Sequence, residues 1–500
     1  MILLGALPWS LNESARTVAT VGMGCGLTTN TLLNIPQIER VDTIEIEPAM
    51  VQGAELFGKH VWNTFNDPRS HIHIADAKTY FSSQHRKYDL IISEPSNPWV
   101  SGVSSLFSEE FYSLVQRYIK PNGLFAQWLH LYETDMSLVA SVIKALSSQF
   151  QDYVIYLTTG NDILIVASPD SEIGEPGKRI FSMDALKGPL QRIGVTEYDD
   201  LVIRKLGSKA VLDPLVNSYA IARNSDFFPV LDLGAVRTRF LKMDATEFLL
   251  MGYVPVPLLD TLENRPHREQ PFTTGENHHL LTAGMMQEAE HILDYFKWVT
   301  YKETPPRGKV ANQLVNLMRS FRSVHNQCDA VEINGAWMLE LHEVAQKTLP
   351  FLTKSEMDII WTDLKSSPCY NNFPNKAKDW IALYIAVGQW DADTVIELAQ
   401  RLLEEDLKND TPSNSFLIMS LMLAHVTNND TSSASAVWSR YGNEKAVNYL
   451  PIRLLLTNIE EMEMKSTNSA QIRQHDTAMT LLGNDSLPPI ARDPDGFSAR

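Results

Sequence analysis

Short β-branched runs alternate with amphipathic stretches from Arg16 onward, and this alternation restricts the fold more than any other feature of the chain. It is typical of βαβ units, in which helices connect the parallel strands of one sheet. The predicted strands cover residues 17–21, 41–46, 71–74, 89–92, 123–128, 153–157 and 163–167. We expect helices in the gaps between the first five strands.

The last two predicted strands are separated only by residues 158–162, which are too few for a helical crossover. They should therefore form an antiparallel hairpin. This ending is typical of the methyltransferase-type version of the fold, and plain dinucleotide-binding domains lack it. The predicted fold class is therefore α/β, with a doubly wound, Rossmann-like sheet of about seven strands, followed by a mostly α-helical C-terminal region.

A chain of 500 residues is too long for one hydrophobic core, so several domains are expected. Residues 380–403 are similar to a helical hairpin of the tetratricopeptide type, although a general helical bundle remains an alternative. The predicted units are a nucleotide-binding domain at 1–170, an extension at 171–262, a linker at 263–275, a helical domain at 276–465 and a flexible tail at 466–500.

The chain has 43 basic and 60 acidic residues and a formal net charge of −17. An acidic balance repels nucleic acids, whose phosphate backbone is bound by basic patches. It attracts polycations, although many acidic proteins are acidic only for solubility. We therefore exclude nucleic acid as a partner and leave open a small cationic substrate.

Cys25, Cys328 and Cys369 lie far apart and form no CxxC pair, so we predict neither a disulfide framework nor a zinc site. A reducing compartment fits this cysteine usage. No segment offers the roughly 18 uncharged apolar residues of a membrane span. We expect a cytoplasmic protein, which would be membrane-associated only if a membrane region preceded this chain.

The histidines also give no metal-binding pattern, because no pair spaced i, i+4 on a helix has a carboxylate nearby. We predict that the protein binds no metal. The histidines considered are His60, His71, His73, His278 and His279.

The first turn of the predicted sheet contains Gly22, Gly24 and Gly26, with Cys25 between the last two. Glycines between a strand and a helix let the backbone approach a ligand, and the helix N-terminus supplies free N–H groups. About twenty residues later the second strand ends in Glu45, where an acidic side chain can accept hydrogen bonds from ribose hydroxyls. The pattern predicts a nucleotide site.

Three further acidic residues follow strands at the same predicted edge. Glu47 shares a face with Glu45 and can instead cap the helix that begins at Pro48. Asp76 follows the third strand, where it could bind an adenine amino group or cap the next helix. Glu94 follows the fourth strand in a proline-bounded loop, and burying it without a purpose would be costly. We therefore expect Glu94 at the reaction centre.

These motifs resemble the spermidine synthase, or polyamine aminopropyltransferase, family. The resemblance covers about residues 15–168 and includes the runs 105–112 and 160–164 and the strand ending in Gln127 and Trp128. Residues 169–240 are similar to a bacterial subfamily in which a multi-spanning membrane region precedes this domain and helical repeats often follow it.

The resemblance implies transfer of an aminopropyl group from decarboxylated S-adenosylmethionine to an amine or polyamine, without a metal. It places Glu45 and Asp76 on the nucleoside and Glu94 at the reacting amine. Three positions depart from the family pattern, because Cys25, Glu94 and Asn97 stand where active members have aspartates. The change at Cys25 weakens selection against intact S-adenosylmethionine, and Glu94 could still serve as the acid-base group. Asn97 orients an amine but accepts no proton.

Two other functions therefore remain open. The chain could be a methyltransferase that uses intact S-adenosylmethionine. Alternatively, the nucleotide domain could be degenerate and the helical region could bind a protein partner. A homodimer is open as well.

Overall fold

The computed structural model describes residues 1–100, 102–266, 268–275, 280–325, 335–406 and 412–482. Its strands are β1 Thr17–Val21, β2 Arg40–Glu45, β3 Ser70–Ile74, β4 Tyr88–Ser93, β5 Ile119–His130, β6 Asp152–Thr159, β7 Asp162–Ser168 and β8 Lys205–Ser208. The first seven fall on the seven predicted strands. The eighth lies in the 171–262 extension, for which no strand was predicted, so the predicted strand number was too low.

The strands form one sheet in the order β3-β2-β1-β4-β5-β7-β6-β8. Strands β1 to β5 are parallel to one another, whereas β7 is antiparallel to both β5 and β6. The predicted antiparallel hairpin and the methyltransferase-type fold class are thus confirmed. The strand order reverses between β1 and β4, so their carboxyl ends border the crevice in which open α/β sheets bind ligands.

Helices cover both faces of the sheet and build the region after it. The helices up to residue 262 are α1 Ile2–Leu11, α2 Leu27–Leu33, α3 Pro48–Glu55, α4 Trp62–Asn66, α5 Ala77–Ser82, α6 Glu109–Gln116, α7 Met136–Ser147, α8 Asp184–Arg192, α9 Asp199–Val202, α10 Lys209–Asn217, α11 Val230–Leu241 and α12 Leu258–Leu262. The later helices are α13 Leu281–Tyr301, α14 Lys309–Phe321, α15 Gly335–Thr348, α16 Lys354–Lys365, α17 Asn375–Gln389, α18 Ala392–Asp406, α19 Pro412–Thr427, α20 Thr431–Tyr441 and α21 Leu450–Leu482. Short 3-10 helices lie at Gly58–Val61, Val103–Phe107, Arg179–Ser182, Thr246–Tyr253, Arg322–His325, Tyr370–Asn372 and Glu444–Asn448.

Helix α1 is part of the α/β domain, although no helix was predicted there. Its residues are apolar on all sides and Trp9 is fully buried. It packs against α2, β4 and β5. A helix without a polar face has no amphipathic period, so it escapes a search for periodicity and is stable only when it is buried all round.

The extension and the helical region pack onto the same sheet. Strand β8 pairs with β6, and α21 is attached to α10 by bonds from Arg453 to Ser218 (2.9 Å) and from Asn458 to the Val211 carbonyl (2.9 Å). The predicted helical character of the C-terminal region is confirmed. Helix α21 continues to Leu482, so the predicted start of a flexible tail at residue 466 falls inside a helix.

Helices α17 to α20 pack one against the next in chain order. They include the proposed hairpin at residues 380–403, whose assignment to the tetratricopeptide type stays a prediction.

One of the cysteine predictions is wrong. Cys369 takes part in a disulfide bond, whereas Cys25 has a free thiol. Distance along the sequence does not determine which sulfur atoms meet, because packing between helices decides it. Within the described ranges no three His, Cys, Asp or Glu side chains are grouped for a metal ion, and no helix is long and apolar enough to span a membrane. His278 and His279 lie outside these ranges.

Candidate functional site

The glycine loop and the end of β4 come into direct contact at the crevice. Gly22 has a φ of +86°, and a Cβ atom on it would lie 2.3 Å from the carbonyl oxygen of Glu94. The Glu94 amide in turn donates to the Val21 carbonyl at 2.8 Å. A side chain at position 22 would therefore push the two strand ends apart, so glycine is required there.

The loop then leads into α2 through two more glycines with positive φ. Gly24 has a φ of +51°, and Gly26 is the N-cap of α2 with a φ of +79°. Cys25 lies between them and is half-buried. The loop thus holds the N-terminus of α2 beside β1, as a site for an anionic or polar ligand group requires.

Glu94 is the buried carboxyl group of this crevice, with 8% of its surface exposed. Its Oε2 accepts a hydrogen bond of 2.6 Å from the Thr28 hydroxyl in α2. Its Oε1 is buried and has no hydrogen-bond partner within the described residues. Burial raises the pKa of Glu94 to about 7, although the positive charge of the N-terminus and the Thr28 bond both act in the opposite direction. The group can therefore take up or release a proton near neutral pH.

Glu45 holds the loop against the end of β2. Its two carboxylate oxygens accept the amides of Met23 and Glu47, both at 2.9 Å, and the side chain is buried. Each oxygen keeps a second lone pair. Hydrogen bonds from Glu45 to ribose hydroxyls stay a prediction. Its bonds to the backbone amides of Met23 and Glu47 were not predicted from the sequence.

Two other acidic residues cap helices, which was one of the roles predicted for each of them. Glu47 accepts the Ala49 amide at 2.9 Å at the start of α3. Asp76 is exposed and accepts the Thr79 amide at 2.8 Å through Oδ1 at the start of α5. The capping role of Asp76 is confirmed, and adenine binding by the same residue stays a prediction.

Asn97 lies beside an aromatic cluster at the end of β5. The hydroxyl of Tyr132 donates to Asn97 Oδ1 at 3.4 Å. The His130 ring is 5.0 Å from that of Trp99 and 4.6 Å from that of Tyr132. Burial lowers the pKa of His130 to about 4, so its imidazole is neutral at pH 7. His130 and Thr28 were not among the predicted site residues.

Several buried polar atoms at the carboxyl ends of β4 and β5 lack hydrogen-bond partners within the described residues. They are Ser93 Oγ, Glu94 Oε1, Gln127 Oε1 and both ring nitrogens of His130. Ser93 and Gln127 lie directly opposite each other in the two strands. Buried polar atoms are normally paired. A group of unpaired atoms at one sheet edge therefore offers hydrogen bonds to a ligand.

The structure thus brings most of the predicted residues together at one edge. The glycine loop, Glu45, Glu94 and Asn97 lie at or after the carboxyl ends of β1, β2 and β4, which are neighbours in the sheet. Asp76 follows β3, one strand farther out. Alternation of side chains along the strands places Glu45 and Glu94 on the face that carries α1 and α2.

Comparisons with known proteins match this N-terminal part. A family model described as the spermine/spermidine synthase domain covers residues 2–161. Putrescine N-methyltransferase 2 of Nicotiana attenuata is 27% identical over 162 residues, which are 31% of this chain and 41% of that protein. A polyamine aminopropyltransferase of Clostridium perfringens is 30% identical over 118 residues, 24% of this chain and 41% of that protein. The chain therefore spans less than half the length of these curated relatives.

Solved structures give distant matches. Spermidine synthase from Thermotoga maritima is 22% identical, with 37% of this chain and 60% of that chain covered and a TM-score of 0.29. Human methyltransferase-like protein 13 in complex with SAH is 23% identical, with 38% and 88% covered and a TM-score of 0.29. The family match begins at residue 2 and so includes α1, whereas the resemblance was predicted to begin at about residue 15. Residues 2–161 of this chain thus match the model of the spermine/spermidine synthase domain.

Proposed function

We propose that this protein is a transferase that moves an aminopropyl group from decarboxylated S-adenosylmethionine to an amine of the polyamine class. One observation carries the proposal. Glu94 is a buried carboxyl group with a pKa of about 7 and one unpartnered oxygen, and it lies against the glycine loop at the crevice. Such a group can attract a cationic amine and accept its proton.

The residues for the nucleoside lie on the adjoining strands. Because Gly22 lies close to the end of β4, the loop presents backbone rather than side chains to a ligand. Glu45 can still accept hydrogen bonds from ribose hydroxyls, and Asp76 can still accept one from the adenine amino group. The unpartnered oxygens of Ser93 and Gln127 lie at the same edge of the sheet, although alternation along the strands puts their side chains on the other face from Glu94. This set fits an adenosyl-sulfonium donor of the S-adenosylmethionine type.

The transfer is an in-line displacement. The lone pair of a neutral amine attacks the carbon next to the sulfonium, a C–N bond forms, and the C–S bond breaks with its electron pair returning to sulfur. The amine nitrogen then carries an extra proton, which the Glu94 carboxylate takes up and later passes to water. Since the pKa of Glu94 is about 7, both its acid and its carboxylate form are populated near neutral pH.

Asn97 and the aromatic cluster would orient the acceptor rather than exchange its proton. The Asn97 carbonyl oxygen accepts a hydrogen bond but binds no proton at neutral pH. The faces of Trp99 and Tyr132 can attract an ammonium group through cation–π interactions. The proton acceptor in this proposal is therefore Glu94 alone.

A second candidate is methyl transfer from intact S-adenosylmethionine to an amine. Cys25 favours it, because a thiol neither attracts the donor's aminopropyl ammonium nor repels the carboxylate of the intact donor as an aspartate would. The putrescine N-methyltransferases among the relatives also support it. Both candidates use the same displacement and the same role for Glu94.

The test compares the two donors on the full chain. Calorimetry with S-adenosylmethionine, its decarboxylated form and methylthioadenosine measures donor binding, and mass spectrometry after incubation with putrescine identifies the product. We expect tighter binding of the decarboxylated donor and an aminopropylated product. Glu94→Gln should abolish transfer, while Glu55→Gln at an exposed helix position serves as the matched control.

The outcomes separate the candidates. A methylated product with preference for the intact donor would replace the first candidate by the second. If no donor binds, both fail, and a degenerate nucleotide domain that carries a partner-binding helical region becomes the better description. Where a donor does bind, the Asp76→Ala variant tests whether that binding uses the predicted adenine position.

A further inference from the structure

His130, the last residue of β5, is a buried histidine whose ring nitrogens are unpaired. Its side chain is 0% exposed, and neither Nδ1 nor Nε2 has a hydrogen-bond partner within the described residues. A neutral imidazole carries one N–H donor and one acceptor nitrogen, and buried groups of this kind are normally paired. Leaving them unpaired costs free energy. The ring nitrogens therefore point to a ligand that completes their hydrogen bonds.

His130 lies on the same face of the sheet as Glu94. Ala126 of β5 belongs to the core that contains α1 and α2, whereas Leu129 belongs to the core on the other face. Alternation along the strand places His130 with Ala126, on the face that also carries Glu94. Strand β5 is parallel to β4, and its register places His130 one strand over and two residues farther along than Glu94. The two side chains can thus contact opposite ends of one small ligand.

Three aromatic rings surround the His130 imidazole. The ring centres of Trp99, Trp128 and Tyr132 lie 5.0, 5.6 and 4.6 Å from that of His130. Aromatic faces attract an ammonium group through cation–π interactions, and the attraction is stronger where water is excluded. Because these rings enclose the imidazole, at least one of them must shift to admit a ligand. The surroundings of the ring suit an ammonium group.

The charges around the ring also favour a cation. Burial lowers the pKa of His130 to about 4, so the imidazole is neutral at pH 7 and one nitrogen keeps its lone pair. Asp162 of β7 pairs directly with His130, and burial together with the charge of Asp162 raises the pKa of Tyr132. Arg239 is the cation that contacts this aromatic cluster, and Glu133 compensates it at 3.6 Å. A carboxylate and a neutral imidazole thus face the enclosed space.

We propose that His130 binds the amino group of the acceptor that does not react, as an ammonium group that donates a hydrogen bond to one ring nitrogen. Glu94 then faces the reacting nitrogen, and the rings of Trp99 and Tyr132 surround the retained one. His130 would thereby select acceptors with two amino groups over monoamines. This inference rests on the proposed function, since it takes an amine as the ligand, and it adds the residue that distinguishes one amine from another.

The test is calorimetric titration of the full chain with putrescine and with butylamine, the monoamine of equal chain length, in the presence of methylthioadenosine. We expect putrescine to bind more tightly. His130→Phe keeps an aromatic ring without nitrogen, so it should weaken putrescine binding by at least about tenfold through loss of a hydrogen bond to a charged group. Butylamine binding should not change. His130→Gln keeps an acceptor oxygen and should restore part of the affinity.

His85→Phe, at an exposed position, is the matched control and should bind both amines as the wild type does. Melting temperatures close to that of the wild type would show that the variants fold. Tyr132→Leu is a second variant at a position that is 36% exposed, where a substitution disturbs folding less. It should also weaken putrescine binding, because it removes one cation–π face.

Two binding results would overturn the inference. One is putrescine binding that is absent or is unchanged in His130→Phe. The other is an equal loss of putrescine, butylamine and methylthioadenosine binding in that variant, which would show a purely structural role.

A transfer assay separates this inference from the proposed function. If putrescine binds through His130 but no alkylated product forms, the proposed function fails and the binding role stands. If His130→Phe forms product with the wild-type KM for putrescine, the binding role fails and the proposed function stands.

Discussion

Glu94 should make the protein less stable as the pH rises, and its replacement by glutamine should remove this penalty. Its pKa is raised from 4.5 to about 7 by burial, so between these values the folded state binds more protons than the unfolded state. The free energy of unfolding therefore falls as the pH rises through this window, and the full penalty is reached above about pH 7. A rise of this size corresponds to about 3 kcal/mol.

Glutamine at position 94 carries no charge and has no such dependence. It can still accept the Thr28 hydroxyl, but its buried amide group lacks a partner, which costs about 1–3 kcal/mol at every pH. The stability of Glu94→Gln relative to the wild type should therefore improve by about 2–3 kcal/mol between about pH 5 and about pH 8. In a domain of this size such a change shifts the melting temperature by several degrees.

The assay is differential scanning calorimetry of the full chain at both pH values, with Glu55→Gln as the exposed control. The control should show the same offset from the wild type at both pH values. An offset for Glu94→Gln that is equally independent of pH would refute the reasoning, because it would mean that Glu94 titrates alike in the folded and unfolded chain.

Four further results are expected. The transfer rate should increase as the pH rises through about 7, because the Glu94 carboxylate becomes available, and a pH–rate profile measures this. Thr28→Val should move that midpoint to higher pH by about one unit, because it removes a hydrogen bond to the carboxylate. Gly22→Ala should abolish donor binding in calorimetry, whereas Gly53→Ala, which has open space around its Cβ position, should not. Asp42→Asn should lower the free energy of unfolding in urea by about 3 kcal/mol near pH 7, because the buried Asp42 carboxylate accepts hydrogen bonds from three side chains; an unchanged midpoint would contradict this.

The same network at Asp42 predicts the sign of its pH dependence. Burial by itself would raise the pKa of Asp42, but the hydrogen bonds from Arg40, His73 and Tyr88 outweigh it and lower the pKa. This carboxylate therefore stabilises the fold above its unfolded pKa and ceases to do so as the pH falls through its folded pKa. The contributions of Asp42 and Glu94 thus have opposite signs.

The strands of the α/β domain could be predicted because they are encoded locally. A run such as Val18 to Val21 is rich in β-branched residues and is buried on both sides, whereas β3 was predicted although its residues are only partly buried. Strand β8 could not be predicted, because its four residues have no alternating pattern and become a strand only by pairing with β6. Helix α1 was not predicted either, because it has no amphipathic period.

The site was predictable to a similar extent. The positions of the glycine loop, Glu45 and Glu94 follow from their places after strands, because parallel strands end at the same edge of a sheet. Thr28 could not be identified, since one threonine among several in α2 becomes important only by meeting Glu94 from a strand that lies 66 residues later. The aromatic contacts of His130 likewise depend on how β5 approaches the loop after β4.

The sequence by itself determined the first seven strands, the α/β class and the acidic and glycine-containing edge, because short-range periodicity and turn chemistry specify them. Only the tertiary structure decided which of those groups are buried and what they contact. It assigned Glu94 a raised pKa and gave Asp76 a capping bond. These properties depend on desolvation and on distances between residues far apart in the chain, and no local pattern carries that information.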